Sequence, residues 1–449
     1  MPRLLDCPRE IAHAILGLVK PADLYWLCLV NQGLRTLAEP LLYSIVDWNW
    51  KLKQPQPPIT LLLRSLLHRP ELSQLVQSLV IDGNWFASSE FSPPKLAITA
   101  LDMDKVGRFI QGTRVPFAED WINEVRAGTF DAIATVLVSQ LSNITHLHLG
   151  PNVVKHSKFF GMLLRSAVCP PLGSELPRFE QLRHVTYDRF VEHEHDKMVP
   201  NPADALSLFY LPVIEHISAS IRDPKVFSWP TSRPDPSTIT SLDIRGLREP
   251  HLGQLLSATK SLKKLHWEWH YAPFLKRRDK FNTPIINLDH IVDVLSNVRE
   301  TLTELSLMGS EGMDDGGNYP PLGVEGSFGG IVDFRRIERL QVPLVFLVGF
   351  SPETTDRLEH AMPPNVESVT ITDDLNWDDY EWEDKHILQM IELWMDHGKD
   401  LTPQLRKIRL LLAETRYEWD HEMRGELATV CNKVGIEVEV TTLSDIGTL

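Results

Sequence analysis

A short form, L-x-x-L-x-L with isoleucine, valine or an aromatic allowed at each apolar site, returns along most of this chain. It reads "VQSLVI" from Val76, "ITHLHL" from Ile144, "LRHVTY" from Leu182, "ITSLDI" from Ile239 and "LKKLHW" from Leu262. It continues as "LTELSL" from Leu302, "IERLQV" from Ile337, "VESVTI" from Val366 and "LRKIRL" from Leu405. Weaker copies are "IEHISA" from Ile214 and "IEVEVT" from Ile436. The last three positions of each copy alternate apolar, polar, apolar, which is the pattern of a strand with one buried face.

Between several copies lies a helical pattern. "REPHLGQLLSATKSL" precedes Leu262, "NLDHIVDVLSNVRETL" precedes Leu302, "PETTDRLEHAMPP" precedes Val366 and "DKHILQMIELWMDHGKDL" precedes Leu405. A strand and then a helix, repeated at roughly 23 to 40 residues, leaves few folds open. The α/β fold class that results is an irregular solenoid, with parallel strands on a concave side, helices on a convex side and a continuous apolar core between. The stretch from Val76 to Ile144 is too long for one unit, and it holds an extra helical segment, "FDAIATVLVSQLSN", from Phe130 to Asn143. The alternative is an ordinary α/β domain. A doubly wound nucleotide enzyme is disfavoured, because no strand leads into the glycine fingerprint that such a fold uses.

The first fifty residues read differently. "PREIAHAILGLV" (Pro8 to Val19) has Ile11, Ile15 and Val19 every four residues, with Pro8 suited to a first helical turn. A second helix starts near Asp23 and carries Leu24, Leu27, Cys28 and Val30. A third starts near Leu34, with Leu37, Ala38 and Leu41 in phase, and Pro40 is expected to end or bend it. Three helices this short bury too little surface to be stable alone. Their apolar side chains exceed what one inner stripe per helix requires, so the surplus packs on the rest of the chain or meets a partner.

The stretch "LLDCPREIAHAILGLVKPADLYWLCLVNQGLRTLAEPLLY" resembles an F-box in the form common among fungal proteins. The likeness lies in Pro8-x-Glu10-Ile11, Ile15-Leu16, Pro21-x-Asp23-Leu24, "LCLVN", Leu34-Arg35 and the closing "LAEPLLY". Cys7-Pro8 stands where the family usually has Leu-Pro. The resemblance covers about a tenth of the chain. It implies that these helices dock on the Skp-type adaptor of a cullin–RING ubiquitin ligase. Pro8, Ile11, Ile15, Leu16, Leu24, Leu27 and Val30 would then supply the docking surface or its support. "RSLLHRPELSQLVQSLVID" further resembles the first repeat of fungal F-box proteins with leucine-rich repeats, although the Asn or Cys that usually follows each repeat motif is missing from nearly every copy. The implied organisation is an F-box-like domain at 1–47, a proline-rich linker at 48–60 and a leucine-rich-repeat-like solenoid at 61–449.

On the concave side the residues between the leucines would face the hollow. These are His146, His148, His184, Thr186, Asp243, Arg245, His266, Glu268, Glu304, Ser306 and Arg409, with Trp267 and Trp269 nearby. They form the candidate target-binding surface; solvated strand faces are the plainer alternative.

The net charge of −15 argues against nucleic acid or an anionic membrane as partner. "LKRRDK" (Leu275 to Lys280) is the one local basic run and reads as a loop. Cys7, Cys28, Cys169 and Cys431 have no C-x-x-C spacing and read as reduced, buried side chains rather than a disulfide or zinc framework. No secretory leader and no apolar run of ~20 residues is visible, which points to the cytoplasm or nucleus.

Other candidate sites are weak. The Gly-rich run from Glu311 to Phe334 lacks phosphate-loop spacing, and its carboxylates would repel phosphate. "DDLNWDDYEWED" from Asp373 could grip a basic peptide through Trp377, Tyr380 and Trp382, or tuck those rings beneath the next helix. His193, Glu194 and His195 are adjacent and lack a third ligand at metal spacing. No nucleophile–base set is arguable from order, so no catalytic residue, metal or other cofactor is assigned. The expected function is the substrate-recognition subunit of an SCF-type ubiquitin ligase. A non-enzymatic repeat scaffold whose F-box-like start does not bind the adaptor is the alternative, and a cytosolic hydrolase with an unrecognised site is a third reading.

Overall fold

The structure is a computed structural model that describes residues 7–50, 55–82, 95–154, 157–171, 173–187, 205–221, 223–235, 238–271, 273, 282–312, 321–353, 357–376, 380–412 and 419–442. "LKRRDK", Trp377 and the His193–His195 cluster lie outside the described residues. The chain divides into two compact units, Met1–Ala219 with Trp229–Pro236, and Ser220–Ser228 with Ser237–Leu449.

The first unit opens with helices α1 (Arg9–Leu16), α2 (Pro21–Val30) and α3 (Gln32–Ser44). Pro21 sits in the first turn of α2, where its missing N–H costs nothing. Asn31 caps α3 by accepting the Leu34 N–H at 2.9 Å. The three helices share a small core of Leu16, Leu24 and Ala38, with Val19, Leu27, Cys28, Leu37, Leu41 and Leu42 packed against it. Pro40 does not stop α3, which continues to Ser44. A proline forfeits one intrahelical bond, and here packing against α1 and α2 outweighs that loss.

Strand β1 (Ile45–Asn49) follows α3 directly and pairs in parallel with β2 (Ser78–Asp82), Ile45 opposite Ser78. Trp48 and Asn49, expected in a linker, therefore belong to the sheet, and Trp50 is buried against the Phe130 ring at 5.3 Å between centroids. Helix α4 (Ile59–His68) then begins at the end of the proline run. The sheet continues in chain order through β3 (His146–Leu149), β4 (His184–Tyr187) and β5 (His216–Ser220). The long interval before β3 is filled by helices Met103–Gly112, Ala118–Arg126 and Phe130–Val138, the last buried along its whole length. Asp131 on that helix accepts the N–H groups of Lys158 and Phe159 at 2.8 and 2.7 Å, so it caps the helix Phe159–Val168 from outside.

The second unit carries β6 (Ser241–Arg245), β7 (Lys264–Tyr271), β8 (Ile285–Asn287), β9 (Glu304–Glu311), β10 (Gly323–Glu325), β11 (Arg339–Pro343), β12 (Ser368–Thr372), β13 (Lys407–Leu412) and β14 (Glu437–Thr442). Seven of these pair in parallel in the order β6-β7-β9-β11-β12-β13-β14, while β10 pairs with β8 separately. Neither set of strands closes into a barrel. Helices Glu249–Leu256, Leu288–Leu295, Asp384–Leu393 and His421–Lys433 lie between strands. Among the described residues of "PETTDRLEHAMPP", a short 3-10 turn, Leu358–Ala361, stands where the pattern suggests a helix. Two prolines close the segment and leave no room for a second turn.

All eleven copies of the repeated form lie on strands of these two sets. One backbone arrangement sets their register. The Gln77 carbonyl accepts from both Thr145 and His146, Thr145 from Arg183 and His184, and Arg183 from Glu215 and His216. The second unit repeats it at Thr240, Lys263, Thr303, Glu338 and Glu367. The apolar anchors Val76, Ile144, Leu182, Ile214, Ile239, Leu262, Leu302, Ile337 and Val366 are fully buried, so each copy joins its neighbour with the same face inward.

Candidate functional sites on the helices and the strand face

The helical start presents an apolar exterior. Among the described residues, the large apolar side chains that face solvent number fourteen, and seven of them fall between Ile11 and Val30. Leu18 is 89% exposed, Trp26 65%, Val30 64% and Leu29 61%, with Ile11, Ile15 and Tyr25 near half. Ile11, Ile15 and Leu18 follow one side of α1 and its end, and Tyr25, Trp26, Leu29 and Val30 follow one side of α2. Tyr25 and Trp26 meet edge to face, 5.4 Å between centroids.

The seven residues expected to dock or support a partner therefore divide. Pro8, Ile11, Ile15 and Val30 are exposed. Leu16 and Leu24 are buried in the helices' own core, and Leu27 is half-buried against it. These three support the surface from beneath. Leu18, Tyr25, Trp26 and Leu29 were not anticipated as exposed. The high apolar content of α2 was the available signal, since a helix apolar all round cannot bury every side on two short neighbours.

Helix α3 is tied to the chain beyond it by charge. Glu39 takes Arg69 Nη1 and Nη2 at 2.8 and 2.9 Å and Arg35 Nη2 at 3.0 Å. Hydrogen bonding from Arg69 pulls the Glu39 carboxyl down to about 2. A cavity of about 250 Å³ opens beside this pair, lined by Tyr43, Arg64, Ser65, His68, Arg69 and Leu72. Ser65 Oγ donates to Leu61 O and His68 Nδ1 to Arg64 O, so both are turned onto their own helix rather than toward each other.

The second candidate surface is the polar side of the strands. In the first unit His146, His184 and His216 stand in register on β3, β4 and β5, and their rings stack at 4.3 Å with interplanar angles of 4° and 9°. His148 and Thr186 form the next row, with His148 Nε2 3.6 Å from Asp82 Oδ1. Burial, and then the neighbouring His216 and His146, lower the His184 pKa below the ordinary histidine value.

In the second unit Asp243, His266 and Ser306 are register partners on β6, β7 and β9. His266 Nδ1 lies 2.9 Å from Ser306 Oγ, and its Nε2 lies 3.9 Å from Asp243 Oδ1. Arg245 lies 3.6 Å from Asp243 and 3.9 Å from Glu268. One step further, Ser310 Oγ donates to Glu268 Oε1 at 2.5 Å and lies 2.9 Å from His270 Nδ1. Burial lowers the pKa of both His266 and His270. The loop after β12 closes over this end of the strands: Asp374 Oδ2 accepts the Gly309 N–H at 2.9 Å, and a Cβ on Gly309 would come within 2.7 Å of Leu375. Burial, with Asp373 and Glu268 close by, raises the Asp374 carboxyl to about 6. Glu304 bridges Lys264 and Arg339, each at 2.9 Å, and Arg409 pairs with Glu439 at 3.0 Å.

The expected surface residues, from His146 to Arg409, thus lie on the polar strand faces of the two units. Trp267 and Trp269 do not join them. Both are fully buried on the opposite side, donating to Leu247 O at 2.9 Å and Glu249 Oε1 at 2.8 Å. Strand alternation requires this, because their neighbours His266, Glu268 and His270 take the polar side. Tyr380 and Trp382 are also buried, Trp382 Nε1 donating to Gly349 O at 3.0 Å, so they tuck inward. His216, His270, Ser310 and Asp374 were missed. His216 was legible, since three copies in spatial succession carry histidine at the third position, as "ITH", "LRH" and "IEH".

No protein-family model matches this sequence, and no curated protein matches it at a significant level.

Proposed function

We propose that the chain is a substrate-recognition subunit of an SCF-type ubiquitin ligase. In this reading α1–α3 are an F-box that docks on a Skp-type adaptor, and the strands and helices beyond form a degenerate leucine-rich-repeat solenoid whose polar strand face holds a protein target. The protein makes and breaks no bond itself. It holds a target near the ubiquitin-loaded enzyme, and the gain is effective concentration.

The observation that supports this most is the apolar exterior of α1 and α2. The helices close their own core with Leu16, Leu24 and Ala38 and still leave seven large apolar side chains outside. Covering one such side chain fully contributes ~1.5–3 kcal/mol before the cost of association. The strand face suits a polar, charge-bearing target rather than an apolar one.

The test is co-purification of the full chain with a purified Skp-type adaptor, comparing wild type with Trp26→Asp/Leu29→Asp. Both residues lie outside the core, so the variant stays folded. Capture by wild type and loss in the variant is expected. Absence of capture by folded wild type sinks the reading. The alternative is an interaction scaffold whose helical start only caps the array. Direct continuation of α3 into β1 and the Glu39–Arg69 pair favour that role as well, because both join the helices to the rest of the first unit.

A further inference from the structure

The stacked histidines of the first unit lie on the strand face read above as the target-holding surface, and their donor atoms cluster with a carboxylate. We propose that His184, His216 and Glu215 form a binding site for a divalent transition-metal ion of the zinc class. A donor atom of each lies within 4.8 Å of the others. All three are half-buried, reachable from solvent yet held by a sheet.

The geometry comes from the register. His184 and His216 are opposite each other on neighbouring parallel strands, so their side chains emerge side by side. Glu215 directly precedes His216, and its backbone N–H is fixed on the Arg183 carbonyl at 2.9 Å. Two imidazoles and one carboxylate are donors that zinc accepts readily, at about 2.0–2.2 Å per bond. Tetrahedral bonds of that length place ligand atoms about 3.3 Å apart. The two rings stand nearly parallel, so metal binding needs them to rotate out of the stack until their nitrogen lone pairs converge, with each donor moving by about 1 Å on a fixed backbone.

His146 stacks on the other side of His184, with its Nδ1 2.9 Å from Thr145 Oγ1. His146 is not part of the donor set. Arg183 is the competitor, since its guanidinium pairs with Glu215 Oε1. Metal binding at Glu215 therefore weakens that ion pair, and loss of Arg183 favours the metal.

The experiment is calorimetric titration of the full chain with Zn²⁺ in a non-chelating buffer at pH 7.5, repeated with Co²⁺ to read coordination from visible absorption. One saturable equivalent is expected, with a tetrahedral Co²⁺ spectrum. His184→Ala and His216→Ala should each weaken binding by at least about tenfold, the scale seen when a metal site loses even a supporting contact. Arg183→Ala, an exposed change that leaves the core intact, should tighten binding several-fold. Absence of saturable uptake by wild type overturns the proposal, as does equal uptake by folded His184→Ala/His216→Ala. Unchanged or weaker binding by Arg183→Ala overturns the place given to Glu215.

Discussion

Glu39 on α3 receives the Arg69 guanidinium through two parallel hydrogen bonds, at 2.8 and 2.9 Å, from thirty residues further along the chain. This fork is a charged tie between the helical start and the turn that leads into β2. Bidentate geometry makes it stronger than a typical surface pair, although Arg69 remains partly exposed and screened.

Arg69→Ala is expected to destabilise the first unit by about 1 kcal/mol, with α1–α3 loosening first. The Glu39 pKa is depressed to about 2. Its contribution is therefore full above the ordinary glutamate value and lost as pH falls toward 2. Hydrogen exchange on α3 amides at neutral pH checks the first statement. Acid unfolding of wild type against Glu39→Gln checks the second, and coincident curves would falsify it.

Leu24 and Trp26 are two positions apart on α2 and predict opposite outcomes. Leu24 fills the small core, so Leu24→Ala should cost about 2–3 kcal/mol and release the three helices. Trp26 faces solvent, so Trp26→Ser should change stability by less than about 0.5 kcal/mol. Chemical denaturation of the two variants separates them. Comparable destabilisation by both substitutions contradicts the placement of the apolar face.

The second unit carries titrating groups of opposite sign. Asp374 has a raised pKa of about 6, so its favourable contribution is present at low pH and lost as pH rises through that value. Asp374→Asn keeps an acceptor for the Gly309 N–H and removes the buried charge. Its stability relative to wild type should be higher at pH 7.5 than at pH 5. His266 and His270 have lowered pKa values, so their contribution is present above the ordinary histidine value and lost as pH falls through the lowered ones. Melting temperatures of wild type, Asp374→Asn and His266→Gln across pH 5 to 8 test both signs; a pH-independent offset for Asp374→Asn rules out its titration.

Legibility in the sequence tracked the strength of the local signal. Strands were readable wherever an apolar anchor preceded an alternating triplet, because period two and burial leave one solution. Strand β1 was not, since Ile45 is exposed and the segment borders a proline run that reads as a connector. The 3-10 turn at Leu358 shows the reverse, a helical pattern that yields a tighter turn just before Pro363 and Pro364. Of the sites, the polar row came from alternation alone. What faces what across strands did not, because the pairing of His184 with His216 or of His266 with Ser306 depends on register between distant segments. The same limit hid Asp374, which reaches Gly309 only once the loop folds back.

Within each unit every strand of the main set joins the one laid down just before it: His146 meets His184, Arg339 meets Ser368, Lys407 meets Glu437. After β1, each new strand of these sets finds its partner already made. A chain wired this way can assemble from its amino end while still being synthesised, each emerging turn finding its template already in place.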